Sequence, residues 1–391
     1  MIRGCLSLVI LLSALPSLAN RELDLSGHVK IFSTTVFFYD HPLLPDDPIA
    51  DSVVDGRLKA IWRPKRKVRI EVHPTIGLSD SQSSSVSVVN TGTEQRIEEA
   101  LPLTLTVGDD PGRNLRVRLD RASLRWDRKR LRLTLGRQPV SFGKGVLFTP
   151  LDLISPFNPA TLDRSYKPGV DALRADLFRG VSGRISLVAA YLEDWSLDGT
   201  AIALQSKGSV GDWEFEGFLG HVYDDVVLGG SAFFNGGSAG YYGDLNLSIT
   251  EPENFVRCVV GLQHKPSEKT AINAELYFQS LGARDPSGYF ARMQGARFER
   301  GELWLAGELY AAMGGQIELH PLVTGGGAII LNPLDPSLLL MPNLSWSAAE
   351  NATLSGGMLL GVGERPTTSM SLQSEFGLAP TTLFLQGSFH F

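Results

Sequence analysis

Cysteine is nearly absent from this chain of 391 residues; there are two, and Cys5 sits inside an N-terminal apolar run. Cys258 alone remains beyond that run, so there is no internal disulfide framework. No Cys-x-x-Cys-His occurs, which excludes haem attached covalently to this chain, and no cofactor is expected. Past the N-terminus no apolar stretch approaches the ~20 residues of a membrane-spanning helix. No linker or low-complexity tract divides the chain either. The seven histidines (His28, His41, His73, His221, His264, His320, His390) lie in no Gly-x-Ser-x-Gly, His-Glu-x-x-His or metal-type cluster. No catalytic residue, no metal site and no enzyme activity are therefore expected. With 36 Lys+Arg against 42 Asp+Glu and no recognisable module, nucleic acid is not an expected partner.

What is present begins with an export signal. Arg3 supplies a basic start, Leu6 to Leu15 a short apolar stretch ended by Pro16, and Ser17-Leu18-Ala19 a small-x-small cleavage site. Residues 1–19 are read as a cleaved Sec leader. Cys5 is in the wrong place for a lipoprotein.

From Leu23 onward, segments of nine to thirteen residues alternate apolar with polar. Leu131-Arg132-Leu133-Thr134-Leu135 shows the period plainly. So does the C-terminus, where Leu383, Leu385, Gly387, Phe389 and Phe391 share one face. Strands are expected near 23–38, 52–63, 67–77, 114–126, 130–138, 169–179, 182–193, 199–207 and 211–222. The series continues near 226–234, 239–249, 255–265, 269–280, 288–298, 301–312, 337–349, 352–363 and 380–391. That makes eighteen, with 316–332 and 369–377 as further candidates, so the range is 16–20. Tight connections such as Asp127-Arg128-Lys129 alternate with long ones at 78–113, 139–168 and 364–379. The fold class is all-β: an antiparallel transmembrane β-barrel over 20–391, whose closed wall satisfies its own backbone in lipid. A terminal aromatic, Phe391 with Phe389 behind it, suits an assembly signal.

One segment is not generic. Gly136-Arg137-Gln138 leads to Phe142-Gly143-Lys144-Gly145, then Pro150-Leu151-Asp152-Leu153 and Pro156, and closes at Lys167-Pro168-Gly169-Val170-Asp171-Ala172. A loop this rich in Phe, Leu, Ile and Pro implies burial, and in a barrel the available site is the lumen. These motifs resemble the porin-like outer-membrane β-barrels of Gram-negative bacteria, some grouped loosely with alginate-export channels and some found beside multihaem cytochromes. The resemblance implies a channel, and an assembly machinery that reads Phe391. Bracing of the wall is the alternative role for the segment.

Charge is segregated. Residues 51–140 carry 18 Lys+Arg against 11 Asp+Glu, whereas 201–391 carry 9 against 19. A charge on the lipid face costs about 2–4 kcal/mol at midplane, so strand phase decides direction. Arg57, Lys59, Arg69, Arg116, Arg118, Arg132 and Arg174 are expected to face the lumen. Glu214, Glu216, Glu275, Glu302 and Glu308 are expected on the opposite wall. A phase break near Asp120-Arg121 suggests a bulge and leaves Arg121 and Arg125 open. Phe142, Lys144, Phe148 and Asp152 are expected at the narrowest level. Together these sites suggest diffusion of small hydrophilic solutes in a transverse field. The alternatives are a sheath around a multihaem cytochrome or a polysaccharide exporter of the alginate type. Expected surroundings are outer-membrane lipid and lipopolysaccharide.

Overall fold

The structure, a computed structural model, describes residues 22–41, 44–81, 98–110, 112–366 and 372–391. The expected leader at 1–19 lies outside them. Strands run in chain order as β1 (Leu23–Phe37), β2 (Ile49–Lys65), β3 (Val68–Ser81), β4 (Thr104–Asp110), β5 (Arg113–Arg128) and β6 (Leu131–Gln138). They continue as β7 (Val170–Arg179), β8 (Gly183–Tyr191), β9 (Thr200–Val210), β10 (Trp213–Val222), β11 (Asp225–Asn235), β12 (Ala239–Ile249) and β13 (Phe255–Ser267). The last are β14 (Thr270–Gln279), β15 (Leu309–His320), β16 (Val323–Asn332), β17 (Ser337–Ala349), β18 (Ala352–Val362) and β19 (Thr381–His390).

Every pairing between the named strands is antiparallel, and β1 bonds to β19 as well as to β2, so the wall closes on itself. β4 is not a full staff of this wall. Its Thr104–Val107 pair with Arg118–Leu115 of β5, on the edge that β6 occupies lower down. It fills the row that β6 leaves at Gln138. The wall is an 18-strand barrel.

Alternation sorts the two faces. Leu135, Leu173, Leu187, Leu204, Leu219, Leu245 and Leu385 point outward and are exposed, while Asp176, Ser186, Gln205, Glu216, Asn246 and Ser248 are buried on the inner face. Cys258 lies between the inward Arg257 and Val259, which places it on the outer face. The bulge at Asp120 is present: Arg121 pairs with His73 and Leu119 with the next residue, Pro74. Two successive residues, Asp120 and Arg121, thus turn inward together, and Arg125 follows them.

The expected count holds, but through a different allotment. Residues 288–298 form short helices, Tyr289–Met293 and Ala296–Glu299, not a strand. Asp285 accepts the Ser287 N–H at 3.0 Å and Pro286 opens the first turn, a helix start that the apolar spacing concealed. The strand expected at 301–312 begins at Leu309, and 316–332 supplies the rest of a β15–β16 hairpin. At 369–377, residues 369–371 lie outside the described ones, and Phe376–Leu378 is a single 3-10 turn. Connections of two or three residues join strands at the rim where β1 begins and β19 ends. The opposite rim carries the long ones, which begin after Ser81, Gln138, Gln279 and Val362.

Candidate functional site: the segment folded into the barrel

Segment 139–169 leaves the wall at a clamped neck. Arg137 and Asp171 are register partners on β6 and β7, joined by hydrogen bonds of 2.9 and 2.8 Å. Arg137, 1 % exposed, also donates to Glu99 at 2.9 Å and to the carbonyls of Leu119 and Leu101. All its nitrogens are thus used in one place. The Gly-Arg-Gln and Lys-Pro-Gly-Val-Asp-Ala motifs are the two sides of this neck.

Beyond it the chain crosses to the opposite wall, where inward carboxylates from three strands receive consecutive backbone N–H groups. Gly143 donates to Glu216 of β10 at 3.3 Å. Lys144 and Gly145 donate to Asp244 of β12, each at 2.9 Å to the same oxygen. Val146, Leu147 and Phe148 donate to Glu275 of β14 at 2.6, 3.0 and 2.9 Å. A carboxylate accepts several N–H groups well, and such charge-assisted bonds are the strong ones. The two glycines make this close approach possible. Gly143 adopts φ +86°, and a Cβ there would stand 2.5 Å from the Asp244 carboxylate; one on Gly145 would stand 1.9 Å from the Phe148 carbonyl.

Apolar packing completes the attachment. Phe142 meets Phe218 edge-on at 4.9 Å, and Phe148 stacks on Tyr277 at 4.8 Å. Asn246 donates to the Pro150 carbonyl at 2.9 Å. Lys167 donates to Asp152 at 2.6 Å and to Ser141 at 2.9 Å. Burial pushes the Asp152 carboxyl above its ordinary range, and Lys167 opposes that shift. Near its end the segment meets the basic wall. The Tyr166 ring lies under Arg57 at 3.8 Å, and its hydroxyl shares a 2.7 Å hydrogen bond with His73. Asp163 accepts from Lys30 at 2.6 Å.

The expected site residues fall into distinct groups. Phe142, Phe148 and Asp152, expected to line the narrowest level, are buried between segment and wall, because their apolar or ion-paired faces need cover. Lys144 keeps a half-exposed side chain and pairs with Glu214. Among the wall arginines, Arg118 meets Glu99 at 3.3 Å, Arg132 meets Asp127 at 2.7 Å and Arg174 meets Asp176 at 2.9 Å. The inner wall therefore carries ion pairs in place of a bare arginine ladder. Arg116 lies on the same face, two residues before Arg118. Glu216 and Glu275 are inward, but they hold the segment. Glu302 is on the 280–308 connection and not on a strand, bound to Arg297 and Arg300. Glu308 precedes β15 and pairs with Arg284. Phe389 pairs with Val29, and Phe391 exchanges backbone hydrogen bonds of 3.0 and 2.8 Å with Gly27, closing the seam between first and last strands.

Sequence reasoning missed Asp244, and it placed Arg137 and Asp171 in the motif, and Tyr166 beside it, without giving any of the three a role. Inward phase on β12 was a usable signal for Asp244; nothing in the sequence paired it with residues about a hundred positions earlier. Among the described residues no group of His, Cys, Asp and Glu is arranged to hold a metal ion.

This architecture is a porin-like β-barrel. It is similar to the crystal structure of Pseudomonas aeruginosa OccK5 (OpdH), with 8 % identity over 95 % of this chain and 98 % of that one, at a TM-score of 0.62. Acinetobacter baumannii OccAB1 is similar at 7 % identity over 94 % and 96 % of the two chains, at a TM-score of 0.58. No family model and no curated protein sequence matches the chain.

Proposed function

We propose that this protein is a Sec-exported outer-membrane channel through which small hydrophilic solutes diffuse, narrowed by segment 139–168. The observation that carries the proposal is the fastening of Gly143–Phe148 across the lumen to Glu216, Asp244 and Glu275. An apolar exterior fits lipid, and a charged interior fits water. Half-exposed lumenal groups give the passage its chemistry: Lys144, and Arg125 and Arg132 flanking Asp127. Because these cations have carboxylate neighbours, the transverse field is shorter in range than the net charges of the two arcs imply. A sheath for a multihaem cytochrome needs an empty lumen, which the fastened segment opposes, and a polysaccharide exporter needs a continuous basic path. Phe391 serves assembly. Reconstitution into planar bilayers tests the reading: discrete conductance steps support it, and a protein that inserts without conducting overturns it.

A further inference from the structure

The rim where β1 begins and β19 ends is basic on one side only. Between β2 and β3 the chain reads Lys65-Arg66-Lys67, between β5 and β6 it reads Arg128-Lys129-Arg130, and Arg179 closes β7. These stretches are neighbours in the wall. The Asp127 N–H donates to the Lys67 carbonyl at 2.9 Å, and the Phe178 N–H to the Arg130 carbonyl at 2.8 Å. All seven cations are exposed, and none has a carboxylate partner among the described residues. The acids on the same strand ends serve inward groups: Glu71 binds Arg69, Asp127 binds Arg125 and Arg132, and Asp176 binds Arg174. Glu22 and Asp24 at the start of β1 also lie on the inner face, because Leu23 between them pairs with the outward Trp62. The turns on the other half of this rim carry Asp212, Glu268 and Glu350 against Lys269, which meets Glu318 at 3.6 Å.

Strand phase aims three of these cations at the surroundings of the wall. Lys65 pairs with Val68, and Val68 with Trp126, so all three share the outer face. Arg128 stands two residues past Trp126 on that face, with its guanidinium 5.9 Å from the indole. It pairs with Leu131, the partner of the outward Leu177, and Arg179 follows Leu177 by two residues. Trp62, 46 % exposed, and Trp126 mark the level where hydrocarbon gives way to headgroups. Cations at that level lie about two strand spacings apart, roughly 10 Å, and their stems can follow the apolar wall while the charged ends meet phosphates. We propose that this arc binds anionic phospholipid in the leaflet around the short-turn rim, with Lys65, Arg128 and Arg179 on the headgroup phosphates. An acidic polypeptide approaching the turn tips would leave these three outward groups unused. The assignment rests on the outer-membrane reading of the barrel but not on conduction.

Native mass spectrometry of the full-length protein, folded in neutral detergent, resolves lipids bound one at a time. The probes are phosphatidylglycerol and phosphatidylcholine with the same chains. The wild type should bind its first phosphatidylglycerol at least about fivefold more tightly, since each surface cation near anionic lipid contributes roughly that factor. Lys65→Ser, Arg128→Ser and Arg179→Ser combined should bring the two lipids together. Lys65→Arg, Arg128→Lys and Arg179→Lys combined should keep the preference, as should Lys265→Ser with Lys269→Ser on the other half of the rim. In the wild type itself, raising the salt from ~0.05 to ~0.5 M should erase it. No preference in the wild type, or one that survives the three serines, overturns the proposal. Polyglutamate bound more tightly than phosphatidylglycerol overturns it too, giving the arc to an acidic protein. A barrel that conducts without lipid preference sinks this assignment alone, and one that prefers the anionic lipid without conducting sinks only the channel.

Discussion

Arg137 and Asp171 face each other across β6 and β7, joined by two hydrogen bonds at the point where the chain leaves the wall and returns. One bidentate pair therefore sets both ends of the inward segment. Removing one partner of a buried pair typically costs about 3–5 kcal/mol, because the other charge stays behind unpaired. Arg137→Ala leaves Asp171 without its guanidinium partner, while Glu99 keeps Arg118 at 3.3 Å. Its urea midpoint in detergent should fall well below that of the wild type, whereas Arg113→Ala at the exposed rim should leave it unchanged. Equal midpoints for both variants would show that the neck does not rest on this pair.

The fastening of the segment makes a separate prediction. Gly145→Ala drives a Cβ into the Phe148 carbonyl, and Glu275→Ala removes the acceptor of three N–H groups. Each should loosen the segment without breaking the wall. Single-channel current should become larger and noisier in both, while the urea midpoint of the barrel moves less than in Arg137→Ala.

Much of the wall was legible in the chain, and the reasons are local. Period-two alternation around Leu131–Leu135 and Leu383–Phe391 needs no knowledge of neighbours, and the break at Asp120 marked its own bulge. The β15–β16 hairpin was displaced because Gly325-Gly326-Gly327 offers no side chains on which alternation can be seen. Direction of charge followed from phase, but partnership did not. Glu275 and Phe148 are 127 positions apart, and strand closure alone brings them together. The acids therefore read as a free electrostatic wall although three of their neighbourhood hold backbone.

Charge selectivity should follow the ion pairs of the inner wall. Replacing Arg116, Arg118 and Arg132 together with Ala leaves Glu99 and Asp127 without those partners. Reversal potentials in a salt gradient should shift towards cation preference. If they stay where the wild type puts them, these arginines do not border the conducting path.

Glu375 gives a pH dependence of definite sign. It lies buried on the 363–380 connection, accepting from Ala306 N–H at 2.7 Å, Asn332 at 3.0 Å and the Tyr310 hydroxyl. Burial pushes its carboxyl up to about 7. A raised folded pKa means that the folded state holds the proton more tightly than the unfolded chain does. Its contribution is fully present below pH ~4.5 and is lost as pH rises through ~7, a span of roughly 3 kcal/mol. Urea midpoints should decline over that window in the wild type and decline less in Glu375→Gln. Parallel profiles would remove Glu375 as the cause.

Under the proposed function, solutes pass through this barrel and are confined by the inward segment. Single-channel conductance in planar bilayers tests it most directly, comparing the wild type with a variant in which 143–160 is replaced by a short Gly-Ser linker. Discrete steps in the wild type, and larger steps in the shortened variant at the same salt, are the expected result. Equal conductance in the two proteins would contradict the account, because the segment would then lie outside the conducting path.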